Sequence, residues 1–364
     1  MTQACFGLIG TGGIAQSQHL PNIPRCGHIR LKTLCDKREG VLKEMRAKYR
    51  VPRAVTSSDE LLADPEIQAV IVATDEKMQA PLTVAALKAG KHVYVEKPLA
   101  STREAFAGVV EEQKRSGRQV AVGFNRRFAP AYRKAREVIR ACGGPTNIHY
   151  RIADEYTRGW GRGYPPGSRL FHEVCHVFDI LRWFCGSEVA TVYCAESRPD
   201  DGILTLTFAS GCVASIMNSG YGTRDLPKER IELIGEHGGA TVEEFVELRT
   251  FGRAEYEPVY RYGGHTHPDR ESSYAPAFEK AGDDALFETR RKAFEGKPPF
   301  DDAARSPHLN YMVDKGWIAS LDCFAECVAS GTPAENATPD DALKVFLIAQ
   351  AAARSRESGG VVRP

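Results

Sequence analysis

The chain has 364 residues, 26% of them charged and 42% hydrophobic, with a formal net charge of +1. That length suits two domains with a substantial buried core, and the near-neutral balance provides no basic field for nucleic acid or an anionic membrane surface. No apolar run is long enough to span a bilayer. The ten cysteines stand singly with no CxxC pair, the pattern of a reduced cytoplasmic protein and not of a disulfide scaffold.

Met1-Thr2-Gln3 leads directly into an apolar run, Ala4 to Ile9, with no basic leader ahead of it, which again predicts a cytoplasmic location. The run meets Gly10-x-Gly12-x-x-Ala15 and a helix-compatible segment. In a strand–turn–helix setting Gly10 permits the tight turn, Gly12 lets the backbone approach a pyrophosphate, and Ala15 lets the helix pack close to the strand. The helix N-terminus then offers N–H groups to the phosphates. A second strand, Ile29 to Cys35, ends on Asp36, whose carboxylate suits the ribose hydroxyls of NAD and repels a 2′-phosphate. Lys37 and Arg38 beside it leave NADP open.

A charged helix follows from Glu39 to Tyr49, and a short helix opens at Asp59. Ala69 to Thr74 is a fully apolar strand of the kind buried in a parallel sheet. A helix from Pro81 to Ala89 stops at Gly90, and the strand His92 to Val95 runs into Glu96-Lys97-Pro98. A helix from about Arg103 to Ser116 and a strand from Gln119 to Gly123 complete an alternation that predicts a doubly wound parallel sheet, a Rossmann domain over residues 1–125.

Beyond Phe124 the rhythm changes. A helix from Pro130 to Arg140 leads into an alternating strand, Asn147 to Ile152, and then a loop rich in Gly, Arg and aromatics, Tyr156 to Arg169. A strong helix is predicted from about Leu170 to Phe184. Strand candidates follow at Thr191–Cys194, Gly202–Phe208, Cys212–Ser219, Arg230–Gly235, Gly239–Glu243 and Glu247–Thr250. Hairpin-like turns between them predict an α+β domain with a large, mostly antiparallel sheet over residues 126–364. Ala254 to Pro276 is polar and carries no clear element. Helices near Phe287–Glu295, Trp317–Ala329 and Asp340–Arg356 close the chain.

Two clusters carry chemistry. Lys97 sits at the C-terminal end of a parallel strand, where open α/β sheets place their ligands, and a lysine there can move a hydroxyl proton. In His172-Glu173-Val174-Cys175-His176-Val177-Phe178-Asp179, residues 172, 176 and 179 share one face of a helix. The same string matches the HExxH zinc pattern, with two His ligands and a Glu base. That chemistry needs a third ligand, and Asp179 and Arg182 stand where the metzincin extension requires Gly and His; no metal is expected. Arg126 and Arg127 after the last parallel strand, and Arg158, Arg162 and Arg169 with Trp160 and Tyr164 in the loop, are forks and a ring suited to an anionic, sugar-like substrate. His265-x-His267 reads as surface loop.

The chain resembles the Gfo/Idh/MocA family of NAD(P)-dependent sugar and cyclitol oxidoreductases nearly end to end. The likeness is carried by Gly10-x-Gly12-x-x-Ala15, by Ala89-Gly90-Lys91-His92-Val93-Tyr94-Val95-Glu96-Lys97-Pro98, by Gly123-Phe124-Asn125-Arg126-Arg127-Phe128 with Pro130, and by His176-x-x-Asp179. It implies a Rossmann domain followed by a domain whose open sheet often forms an oligomer interface, so a homodimer or homotetramer is expected. It further implies NAD held by Gly10, Gly12, Gly13, Ile14, Asp36, Thr74, Glu96 and Lys97. Lys97, His176 and His172 are the expected catalytic groups, and Asn125, Arg126, Arg158, Trp160, Arg162, Glu173 and Asp179 the substrate contacts. The family usually has an Asp where this chain has His172, and a Pro where it has Asp75. His176 is the first choice of base, since imidazole titrates near neutral pH.

The expected activity is hydride transfer between a secondary alcohol of a sugar-like small molecule and nicotinamide. The alternative is redox-neutral glycoside cleavage, in which a retained NAD oxidises a ring carbon, the aglycone is eliminated, water adds, and the same hydride returns.

Overall fold

All six residues of strand β1 (Ala4–Ile9) are buried, which requires a neighbour on each edge and cover on both faces. β1 lies between β2 (Ile29–Cys35) and β4 (Ala69–Val72), pairing with each in parallel. With β3 (Arg53–Val55), β5 (His92–Val95) and β6 (Val120–Val122) they form a six-stranded sheet in the order β3-β2-β1-β4-β5-β6. The strand order reverses between β1 and β4, the place where doubly wound sheets bind their ligands. The computed structural model describes residues 2–159, 161–223, 226–264, 275–294 and 313–364.

Two units emerge. One holds the residues up to Asn125 together with Gly316–Lys344; the other holds Arg126–Lys315 together with Val345–Pro364. The first is therefore discontinuous in sequence. The helix Trp317–Ser330 supplies Leu321, Phe324 and Ala325 to the core over β1. Phe324 meets Phe6 and Tyr94 at ring-centroid distances of 6.3 and 5.9 Å, and the Tyr94 hydroxyl lies 3.1 Å from Ser320 Oγ. Burying such aromatic rings contributes about 2 kcal/mol each.

Several local expectations shift. β3 is too short to have shown a period of its own. The helix expected from Pro81 begins earlier and runs Glu76–Lys88, with Pro81 inside it; the segment ahead of the proline has ordinary helix formers and Asp75 at the N-cap position. The segment after Gly13 is a wide π turn, Ala15–His19, followed by the short turns Leu20–Asn22 and Ile23–Arg25, each containing a proline.

The second unit is built on an eight-stranded sheet in the order β14-β13-β12-β11-β7-β10-β9-β8. Its strands are β7 (Asn147–Ala153), β8 (Val189–Arg198), β9 (Asp201–Phe208), β10 (Val213–Ser219), β11 (Glu229–Gly235), β12 (Gly238–Glu243), β13 (Glu247–Phe251) and β14 (Val259–Arg261). Every pairing is antiparallel except β7 with β10. Alternation decides the faces: Ile148, Tyr150, Leu204, Leu206, Ala214, Ile216, Ile231 and Leu233 are buried, whereas Tyr193, Ile203, Val213, Met217 and Ile234 are exposed. β14 lies in the polar stretch that had shown no clear element. The helix expected near Phe287–Glu295 is longer, Ala275–Phe294, broken at Gly282.

Candidate active site

The turn after β1 has the mechanical form its glycines require. Gly10 has φ +94°, and a Cβ there would stand 2.4 Å from the Ala73 carbonyl oxygen. At Gly12 the nearest atom to such a Cβ is the Arg38 guanidinium at 3.8 Å, and at Gly13 nothing lies within 4 Å. Gly10 is thus locked by protein, while Gly12 and Gly13 leave open ground of the kind a pyrophosphate needs above the backbone. Gly10→Ala is expected to destabilise the protein by about 2 kcal/mol or more from backbone strain alone, read as a lower urea midpoint with weakened NAD fluorescence titration.

Asp36 follows β2 and is held tightly. Its carboxylate accepts from Thr11 N and Thr11 Oγ1, both at 2.8 Å, and from Arg38 N, Nε and Nη2 at 3.0, 3.0 and 2.8 Å. Burial opposes its charge, but the hydrogen bonds from Arg38 and Thr11 prevail and hold the carboxyl far below the usual range. The acidic residue is fixed and ionised at the strand end where dinucleotide-binding folds place a carboxylate for the ribose, and the residues present fit a dinucleotide. Ile14 and Thr74 are half-buried in the flanks of this turn region.

At the end of β5, Glu96 is buried and one of its oxygens lies 2.9 Å from His19 Nε2. The His19 ring is itself fully buried, edge-on to Tyr94 and Trp317 at 6.0 and 5.9 Å. His19 was not foreseen, because an isolated histidine after a glycine turn carries no local signal of a partner 77 positions away. Lys97, the next residue after Glu96, is half-buried at the C-terminal end of the sheet.

In the second unit the expected continuous helix is two. Arg169–His172 ends at Glu173 (φ −122°, ψ −49°), and Val174–Cys185 begins after it. The face shared by 172, 176 and 179 on an ideal helix is therefore interrupted between the two histidines, and the zinc-type spacing loses its geometric basis. Among the described residues no group of three His, Cys, Asp or Glu side chains is placed to hold a metal ion. His172 is buried against the Tyr164 ring at 4.2 Å, with Nδ1 3.4 Å from the Tyr156 hydroxyl; burial pushes that phenol up to about 12. Asp200 caps the short helix, accepting from Gly167 N at 2.9 Å and Arg169 N at 3.0 Å. His176 is buried in the longer helix, and its N–H donates to the Glu173 carbonyl at 3.1 Å.

Around the break runs a chain of charges alternating in sign: Arg169, Asp154, Lys228, Glu173, Arg126, Glu229, Lys315. Arg169 donates to Asp154 at 2.9 Å, and Lys228 bridges Asp154 and Glu173, each at 2.7 Å. Arg126 reaches Glu173 at 3.3 Å and grips Glu229 with two nitrogens at 2.6 and 2.8 Å. Lys315 and the Tyr150 hydroxyl complete Glu229, at 2.8 and 2.7 Å. Burial alone would discharge both Lys228 and Glu229; their opposite partners overrule it, holding Lys228 above the ordinary lysine value and Glu229 well below the carboxylate range.

These contacts change the standing of several expected substrate contacts. Arg126, read as an open fork for an anion, is buried with its guanidinium engaged by Glu229 and Glu173, and Glu173 lies in the same network. Asp179 accepts from Arg127, which donates to both of its oxygens, Nε at 2.9 Å. Asn125 is buried, whereas Arg158 and Arg162 are exposed on the loop. Trp160, His265 and His267 lie outside the described residues.

A parallel sheet with a glycine turn and an ionised acidic residue at the end of its second strand, in one chain with a large mixed-sheet unit, is the architecture of an NAD-dependent oxidoreductase of the sugar and cyclitol type. A model of the Gfo/Idh/MocA oxidoreductase family, NAD-binding Rossmann fold, matches residues 5–124, and one of the GFO/IDH/MocA C-terminal domain matches residues 132–241. The chain belongs to the Gfo/Idh/MocA family, as its motifs had implied, and its first unit is the NAD-binding domain. It is 30% identical to the myo-inositol 2-dehydrogenase of Thermotoga maritima over 251 residues, 64% of this chain and 73% of that one. It is 27% identical to an inositol 2-dehydrogenase of Acidothermus cellulolyticus over 359 residues, 94% of each. An oxidoreductase of Agrobacterium radiobacter, solved with NAD+, L-tartaric acid and magnesium, shares the fold with a TM-score of 0.77 at 19% identity, covering 100% of this chain and 98% of that one. Among the described residues no helix is long and apolar enough to cross a membrane.

Proposed function

We propose that the protein oxidises a secondary ring alcohol of a cyclitol or related sugar, with Lys97 taking part in moving the hydroxyl proton. The observation that carries this reading is Lys97 at the C-terminal end of β5, in the same parallel sheet whose first strand ends in the glycine cradle. The inositol dehydrogenases among its relatives support the choice of substrate class. Bound NAD would supply the hydride acceptor; the chain's own part is to hold the alcohol and remove its proton. His176 is the proposed partner base, with His172 assisting. The exposed Arg158 and Arg162 favour a substrate that bears an anionic group.

Redox-neutral glycoside cleavage is the second reading. It is favoured by His172, at a position where the family resemblance implies an Asp, lying next to the Tyr156 hydroxyl. One experiment separates the two. Purified protein is assayed for bound NAD(H), then supplied with NAD+ and a panel of inositols, hexoses and uronates, with NADH absorbance as the readout. Alcohol-dependent NADH formation is the expected result. Retained cofactor, no net NADH, and aglycone release from aryl glycosides would overturn it in favour of cleavage.

The exposed apolar residues Tyr193, Ile203, Val213, Met217 and Ile234 form an outer sheet face suited to a second copy of the chain. We place the homo-oligomer contact there, in a protein taken to work in the cytoplasm.

A further inference from the structure

Glu173 occupies an unusual place. Its backbone is the break between the helix that ends on His172 and the helix that carries His176. Its carbonyl accepts the His176 N–H at 3.1 Å. Its carboxylate, almost wholly buried, is the midpoint of the alternating charge chain, bonded to Lys228 at 2.7 Å and Arg126 at 3.3 Å. Arg169, at the start of the short helix, joins the same chain through Asp154 and also donates to Asn218. The segment bearing both histidines is therefore moored by buried charges just ahead of the break, through Arg169, and at the break itself, through Glu173.

We propose that Glu173 is a positioning residue: Lys228 and Arg126 clamp its carboxylate, and that clamp fixes the helix break from which His172 and His176 are presented. A zinc-protease Glu would act as a base on water; this one has two cations on it and works through the backbone. Removing the charge, even with the shape conserved, leaves Lys228 and Arg126 facing a neutral amide in a buried site. The break then relaxes toward the continuous helix that the sequence between Leu170 and Phe184 otherwise favours. The two rings would move with it. The rate effect rests on the dehydrogenase reading above; the histidine geometry does not.

The test is Glu173→Gln in the full chain, with ring-labelled histidine NMR across a pH titration. The His172 and His176 signals are assigned by His172→Gln and His176→Gln. Both signals are expected to change position and titration midpoint in the variant. With the alcohol identified by the NADH screen, kcat is expected to fall about 100-fold, the scale of a misplaced reacting group, with a displaced pH profile and little change in KM. Because Glu173→Gln leaves an excess buried cation, the double variant Glu173→Gln/Lys228→Met restores the charge balance. It is expected to regain the unfolding midpoint but neither the histidine signals nor kcat. Wild-type histidine titrations in either folded variant would overturn the proposal. A protein with no alcohol-dependent NADH formation would sink the dehydrogenase reading and leave the NMR result standing.

Discussion

Lys97→Met is expected to lower kcat for alcohol-dependent NADH formation by about 10²–10⁴, the range over which a positioned acid–base group acts. The side chain is half-buried at the end of β5, just beyond the buried His19–Glu96 pair. That pair fixes the residue before it, so the substitution changes chemistry and not the strand. Methionine keeps the length and apolar stem of lysine while removing the ammonium. Cofactor binding is to be measured on the same variant by fluorescence titration, since Lys97 was also expected to touch NAD. A loss confined to NAD affinity would reassign Lys97 to cofactor holding. A variant with wild-type kcat would remove it from the reaction.

The second large effect is on stability. Glu229→Gln is expected to cost about 3–5 kcal/mol, because breaking a buried ion pair leaves buried cations short of their counter-charge. Here the partners are two, Arg126 and Lys315, both buried. Against a total stability of about 5–15 kcal/mol, such a loss should be plain as a lowered urea midpoint. The pH dependence has a definite sign. Glu229 is held well below the usual carboxylate range, so its contribution is full above the unfolded value of about 4.3. It is lost as pH falls through the lower folded value, where the unfolded chain binds the extra proton first. The wild type should therefore lose stability below about pH 4 more steeply than the variant. Parallel acid limbs in the two proteins would show that Glu229 does not carry that dependence.

The sequence was most informative where a residue's role depends on its near neighbours. The glycine turn, the acidic end of β2 and the apolar β4 are each decided within a few positions, and the parallel sheet follows from their spacing. The alternating strands of the second unit were equally legible, because one face of the sheet is covered and the other is not. The break at Glu173 was not, since Leu170 to Phe184 is uniformly compatible with a helix and the cause lies in side chains elsewhere. Arg126 shows the same limit. A loop arginine reads as exposed, and its partner Glu229 is 103 positions away. Sites assembled from long-range ion pairs leave no periodic trace.

The return of Gly316–Lys344 to the first unit bears on how the chain is made. Domains commonly fold in order as they leave the ribosome. The face of β1 and β5 that Leu321, Phe324 and Ala325 cover must instead stay uncovered while all of Arg126–Lys315 is synthesised. During translation the nucleotide-binding half is thus completed only after most of the second unit has been made, although it is the first to emerge, and the nascent chain carries an aromatic patch through most of its elongation.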